Sequence, residues 1–427
     1  MSETLFGDPV VATAGSTDPG APLVVLLHGR GSHEREILSL ASRLPVGPAY
    51  AAVRAPIAEG GGFAWFANRG IGRPLAASLA ATTAWFRAWL DRVAPAGRPV
   101  VLIGFSGGAA FAGALLLQEP SRFAGAGILY GTLPFDAGIT AGPAQLAGIP
   151  VFVAQGEKDS IIPRELLDRT WSYLLGDSGA PAYARRDPGG HGITVPTLAE
   201  LGGWIQERLA FLDRRGPLAP AHVAATWTDA LDGRLPTRSG ARPTVSWTIP
   251  QEQLTDIAPL ELQERLLARL AALPGVTVRQ SAISVPGAHG LMLGPTAAGP
   301  LDAFLVPPAG EFAHQHPRYD GSLHVALPRP LVADAITKGW AQAHPLAGVR
   351  LTPGMVMVYG PRNEPELETV AGILATARSY AAGGTRAPEG LPGFNRSLQH
   401  GVGEQSVAAP RRPPRESSSR GSFGVCC

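Results

Sequence analysis

Cysteine and lysine are almost missing from this chain. The two cysteines are its last two residues, Cys426 and Cys427, so no disulfide staples a folded body. That fits a reducing compartment, and the expected location is the cytoplasm. Only Lys158 and Lys338 are lysines, and the formal net charge is +2. That near-balance, with only 16% charged residues, argues against a nucleic-acid binder held by a basic face, and no nucleic acid is expected as a partner. No secretory signal is expected either, since "MSETLFGDPVVATAGSTDPG" has neither a basic start nor an apolar core. The closest approach to a membrane span is "VVLIGFSGGAAFAGALLL" (100–117), which carries no charge, but glycines and Ser106 interrupt it. We expect no transmembrane segment.

What is present is a hydrophobic fraction of 45% spread over 427 residues, enough for two packed domains. In the first half, "LVVLLH" (23–28), "VVLIGF" (100–105), "GILY" (127–130) and "VFVAQG" (151–156) read as buried parallel strands. Helical patterns lie between them at 75–93, 107–118, 163–175 and 194–213. Alternating strand and helix over residues 1–215 predicts an α/β fold with a doubly wound, mostly parallel sheet. Residues 216–244 read as a linker. The next unit, 245–385, begins with a helical stretch at 254–273. Strands are expected within "VTVRQSAISV", "AFLVP", "LHVALP" and "MVMVYG", and helices near 330–342 and 364–380, so a smaller α+β domain is expected. From 386 to 427 the Pro-, Ser-, Gly- and Arg-rich composition predicts a disordered tail.

Chemistry concentrates where the predicted strands end. G-F-S-G-G at 104–108 suits a tight strand-to-helix corner that presents Ser106 as a nucleophile. One G-x-S-x-G arises easily by chance in a glycine-rich chain, so it needs partners in the right order. His191 in "PGGHGIT" is the candidate base, set among glycines that leave its ring room to swing. The acid should fall between the two, and Asp159 in "QGEKDSIIP" directly follows a strand. Glu157 ranks behind it, whereas Asp168, Asp177 and Asp187 are expected to be solvated. Two N–H groups are needed for an oxyanion. The assigned donors are Gly107, after the nucleophile, and Arg30, in the "HGRG" turn after the first strand. Trp65, Phe66, Leu133 and Pro134 are candidates for an acyl pocket, with ordinary core packing the equal alternative.

These motifs are jointly specific. "LLHGRGSHERE", "GFSGGAAFAGALLL", "GEKDSIIP" and "GGHGIT" resemble the phospholipase/carboxylesterase family of α/β-hydrolases, which includes the acyl-protein thioesterases, over about residues 20–213. The resemblance implies a serine hydrolase acting on a small-molecule carboxylic ester or thioester, with no cofactor for this domain. Many relatives carry G-F-S-x-G-G. Glycine at the variable position here, Gly107, removes a side chain that could help shape the oxyanion loop.

Five of the ten histidines fall between 289 and 344: His289, His314, His316, His324 and His344. In "EFAHQHPRYDGSLHVALP", strand periodicity would turn His314 and His316 to one face, and Asp320 and His324 could complete a site across a turn. The four are candidates to hold a metal or ligand, against the alternative of histidines hydrogen-bonded within a turn. This half resembles the luciferase-like domain family in "AISVPGAHGLML", "EFAHQHPRYDGSLHVALP", "KGWAQAHPLAG" and "VMVYGPRNEPELETV", over about 245–380. Its cofactor, if any, is open, as are protein partners. Its role is open between an oxidoreductase or monooxygenase of that type and a non-catalytic ligand or partner module.

Overall fold

The computed structural model describes residues 6–215, 235–246 and 249–384. The tail expected at 386–427 and most of the expected linker, 216–234, lie outside the described residues.

In the first half, β1 (Val11–Gly15), β2 (Leu23–Leu27), β3 (Ala49–Val53), β8 (Val100–Phe105), β9 (Gly125–Leu129), β10 (Val151–Gly156) and β11 (Ala182–Asp187) form one sheet. Two short hairpins, β4 (Ile57–Glu59) with β5 (Gly62–Ala64) and β6 (Asn68–Gly70) with β7 (Arg73–Pro74), intervene. The strand order is β1-β3-β2-β8-β9-β10-β11, and every pairing is parallel except β1 with β3.

Helices cover both faces, which is why β2 reads "LVVLL" with no polar break. Its Val25 and Leu27 enter one core with Trp65, Phe86 and Phe111, while Val24 and Leu26 enter the other with Leu198, Leu201 and Trp204. This is the two-residue alternation of a strand serving two cores at once. The first core lies under α2 (Ala76–Val93) and α3 (Gly107–Gln118); the second receives α1 (Glu34–Leu38) and α5 (Val195–Arg215), while Leu166 and Leu167 of α4 (Arg164–Ser172) pack with Ile162. Every residue from Gly108 to Leu117 is buried, so the charge-free stretch at 100–117 is β8 followed by the sequestered α3. Among the described residues, no helix is long and apolar enough to cross a membrane.

The second half builds an antiparallel sheet from β12 (Val276–Gln280), β13 (His289–Leu293), β14 (Glu311–Gln315), β15 (Leu323–Ala326), β16 (Ala341–Ala343) and β17 (Met355–Val358). Their order is β12-β13-β14-β15-β17-β16. Leu291, Leu293, Leu323, Val325, Val356 and Val358 share a core with Leu266 and Leu270 of α6 (Leu260–Ala271) and with Val370 and Ile373 of the C-terminal helix Glu364–Ala381.

Some expected elements differ. "AFLVP" is not a strand: Leu301–Ala303 is a 3-10 turn, and only Val306 bridges, to Glu311. Pro307 and Pro308 follow it, and a proline has no N–H to extend a ladder. The helix expected at 254–273 begins at Leu260, because Pro259 caps it in an extended conformation and Asp256 has φ +53°. The helix expected at 330–342 spans Arg329–Thr337 and ends before Gly339 at φ +80°.

Candidate active site and a buried histidine cluster

The strand-to-helix corner is tight. Ser106 has φ 55° and ψ −116°, outside the regions open to ordinary L-residues, which aims its side chain away from both β8 and α3. Two glycines permit the close packing. A Cβ on Gly104 would fall 2.2 Å from the Gly108 carbonyl oxygen, and one on Gly108 would fall 2.2 Å from that of Leu27. The Ser106 N–H donates to the Leu129 carbonyl at 2.9 Å, anchoring the corner to β9.

His191 lies 2.8 Å from Ser106 Oγ through Nε2 and 2.8 Å from Asp159 Oδ2 through Nδ1. The other Asp159 oxygen accepts N–H groups from Ile161 and Ile162 at 2.9 and 3.1 Å. The Asp159 carboxylate is fully buried, while His191 keeps 14% of its side-chain surface exposed. Nδ1 of His191 therefore faces an acceptor-only group, and Nε2 is left to accept from the serine hydroxyl. Glu157 is exposed, with its N–H on the Asp187 carbonyl.

The two assigned oxyanion donors also meet here. A Cβ on Gly107 would stand 3.3 Å from the Arg30 nitrogen, so the bare glycine keeps that approach open. Neither the Arg30 nor the Gly107 N–H has a protein acceptor among the described residues. The Arg30 guanidinium fastens its own loop, pairing with Glu59 and donating to the Phe66 carbonyl at 3.0 Å. His28 fastens the same loop from below. Its Nε2 accepts the Ala55 N–H at 3.0 Å and its Nδ1 donates to the Gly29 carbonyl at 2.7 Å. Burial lowers its pKa and keeps it neutral. Trp65 is buried, stacks on Phe111 with ring centroids 4.4 Å apart and donates to the His28 carbonyl. Phe66, Leu133 and Pro134 are buried too, with Leu133 and Pro134 packed over Gly113 of α3.

Asp187 corrects an expectation. Rather than being solvated, its side chain is 2% exposed at the end of β11. It accepts from Tyr130, Thr197, Thr194 and Arg185. Burial acts to raise its pKa, but these bonds outweigh it and bring the value down to about 2. Asp187 and Thr194 bracket the loop that carries His191, so their bond closes its two ends. By contrast, Asp168 and Asp177 are exposed as expected, at 49% and 65%.

In the second domain, cross-strand register places His314 opposite His324, and His316 two residues further along shares their face. All three are buried. His314 Nε2 and His316 Nε2 lie 3.2 and 3.0 Å from His324 Nδ1. His314 Nδ1 meets Glu311 Oε1 at 2.9 Å, His316 Nδ1 meets Asp320, and His324 Nε2 meets Gln251 Oε1 at 3.1 Å. Burial raises the Glu311 pKa, but bonds from His314, Ser281 and the Ala282 N–H outweigh it, so the net shift is downward. Burial pushes His314 down, His324 well down, and His344 to about 3. Glu311 and Gln251 were not picked out in the sequence. Glu311 is three residues before His314 on β14, a weak cue, and Gln251 arrives from a distant segment with none.

Fold and site together define an α/β-hydrolase domain followed by an antiparallel α+β domain. The phospholipase/carboxylesterase family model matches residues 9–179 and the luciferase domain model residues 309–377. Through its C-terminal half the chain belongs to the luciferase family, and its N-terminal half is similar to the phospholipase/carboxylesterase family. A luciferase of Armillaria mellea is 30% identical over 240 residues, covering 52% of this chain and 84% of that protein. MhqD of Bacillus subtilis (strain 168), which is named as a hydrolase, is 29% identical over 192 residues, 44% of this chain and 94% of the relative. The solved Bacillus cereus carboxylesterase aligns with TM-score 0.43 and 25% identity, over 47% of this chain and 94% of its own.

Proposed function

We propose that the first domain is a serine hydrolase that cleaves carboxylic esters or thioesters through an acyl-enzyme on Ser106. The observation that carries this is the relay of two 2.8 Å contacts, Ser106 to His191 to Asp159, starting from a serine held at φ 55°. In the reaction, Ser106 Oγ attacks the carbonyl carbon while His191 Nε2 takes its proton. Asp159 holds the ring in the Nδ1–H tautomer and stabilises the imidazolium. The N–H groups of Arg30 and Gly107 receive the developing oxyanion at the positive end of α3. His191 returns the proton to the leaving alcohol or thiol, then activates the water that releases the acid. The substrate is a small molecule, and no cofactor enters these steps.

Ser106→Ala in the full-length chain tests the assignment. Hydrolysis of short-chain esters should fall by at least about 10³-fold, and labelling by a fluorophosphonate probe should vanish. Full activity in that variant would sink it.

A second reading gives the C-terminal domain its own activity, as an oxidoreductase or monooxygenase, rather than a role as a non-catalytic module. What favours it is the ionisable cluster buried on the sheet face opposite the hydrophobic core, which the hydrolase does not use. Oxygen uptake by the Ser106→Ala chain would support it, and substrate profiles unchanged by loss of the cluster would leave the module without influence on the hydrolase.

A further inference from the structure

We infer that His314, His316 and His324 form a binding site for one divalent first-row transition-metal ion. The argument begins with proton placement. A neutral imidazole carries one N–H and one lone pair, and its partner at one nitrogen decides the other. Glu311 and Asp320 are carboxylates set against Nδ1 of His314 and His316, so both rings keep their proton there. Asp320 is fixed in turn by the Ser322 N–H, and Glu311 by the Ala282 N–H. Gln251 presents its oxygen to His324 Nε2, with its amide nitrogen turned to the Ala343 carbonyl, so the third proton is on Nε2. The three remaining nitrogens, His314 Nε2, His316 Nε2 and His324 Nδ1, are all lone pairs, and all lie within 4.8 Å of one another.

Buried polar groups are normally paired donor to acceptor. Here three acceptors converge, and among the described residues no donor stands between them. A cation at their centre resolves this. Metal–nitrogen bonds to histidine are about 2.0–2.1 Å long. At that length, nitrogens 3.0 and 3.2 Å apart subtend about 95° and 100° at one ion, between octahedral and tetrahedral values. The outer partners also follow the pattern of metal-binding histidines, each donating its second N–H to a carboxylate or amide oxygen. All-imidazole ligation without thiolate suits Zn²⁺, Fe²⁺, Ni²⁺ or Cu²⁺ over Mg²⁺ or Ca²⁺. His344 is not a fourth ligand through Nδ1, which accepts the Leu346 N–H at 3.1 Å. Three protein ligands leave coordination positions for water or a substrate oxygen.

The test uses full-length protein stripped with a chelator, dialysed against Zn²⁺ or Co²⁺ and analysed for bound metal. About one ion per chain is expected, with visible ligand-field absorption in the Co²⁺ form. His324→Asn should bring the content below about 0.1 per chain, while His289→Asn and Ser106→Ala should leave it unchanged. Asp320→Asn and Glu311→Gln preserve side-chain volume and should weaken affinity by about 10- to 100-fold. Those two variants decide the matter if His324→Asn fails to fold. A wild-type chain that takes up neither ion overturns the proposal. So does full occupancy in the His324→Asn chain, or unchanged affinity in both carboxylate variants.

Discussion

A single proton position is what Asp159 contributes in the proposed relay. Its Oδ1 is consumed by two backbone N–H groups, leaving Oδ2 for His191 alone. Asp159→Asn keeps the shape but offers an N–H where an acceptor is needed, so the ring settles in the wrong tautomer. We expect kcat for ester hydrolysis to fall by about 10⁴-fold, read in steady-state kinetics, with KM nearly unchanged. Asp187 makes a prediction about pH. Its folded value of about 2 lies below the ordinary 3.8, so it stabilises the fold at pH values above the latter. That contribution, about 2 kcal/mol, fades as pH falls through 3.8 toward 2. Urea titrations should therefore show Asp187→Asn less stable at pH 7 by about that amount, with the gap closing below pH 3. A constant gap across the range would show that the charge is not the cause. Ser106, His191 and Asp159 were legible because each stands at a strand end or among glycines. Asp187 was not, since an aspartate beside a glycine-rich loop usually meets water, and its burial depends on Tyr130 and the Thr194–Thr197 pair converging from two segments.

The strand-corner-helix unit depends on close approach at Gly108, where an added methyl would strike the Leu27 carbonyl 2.2 Å away. A backbone atom cannot rotate out of the way, so α3 must lift from β2. Gly108→Ala should cost about 1–3 kcal/mol in chemical denaturation. Its loss of kcat should be larger than stability alone explains, about 10²-fold, because the corner itself shifts. The principal parallel strands and their helices could be read from the sequence because unbroken β-branched runs bounded by glycine have few alternatives. Partial elements were harder. β1 is only partly buried, β3, "AYAAV", is alanine-rich with a single β-branched residue, and β13, "HGLML", follows a proline-glycine turn that hides its start. "AFLVP" has strand-like side chains, but the Ala303 and Phe304 N–H groups close the 3-10 turn instead and Pro307 has none to extend a ladder.

Across the molecule, the two domains meet around Arg208 of α5, which is 1% exposed. Its Nε donates to the Ala124 carbonyl of the first domain at 2.6 Å, and Nη1 donates to the Gly348 carbonyl of the second. Burial, with the nearby charge of Arg329, lowers its pKa to about 9. Glu207 pairs with Arg350 beside it, and Asp177 with Arg242 at 3.1 Å. Arg208→Met leaves two carbonyls without their donor, which should cost about 2–3 kcal/mol. Calorimetry should show one unfolding transition for the wild type and two for this variant. An unchanged single transition would show that the domains are coupled by other contacts.

Arg208 also has a bearing on synthesis. The carbonyl that completes its pairing lies 140 residues later in the chain. At about 5–20 residues per second, a ribosome needs about 7–30 seconds to make that stretch. Throughout that interval the hydrolase half holds a guanidinium whose partner does not yet exist, so its last layer closes only when the second domain has been made.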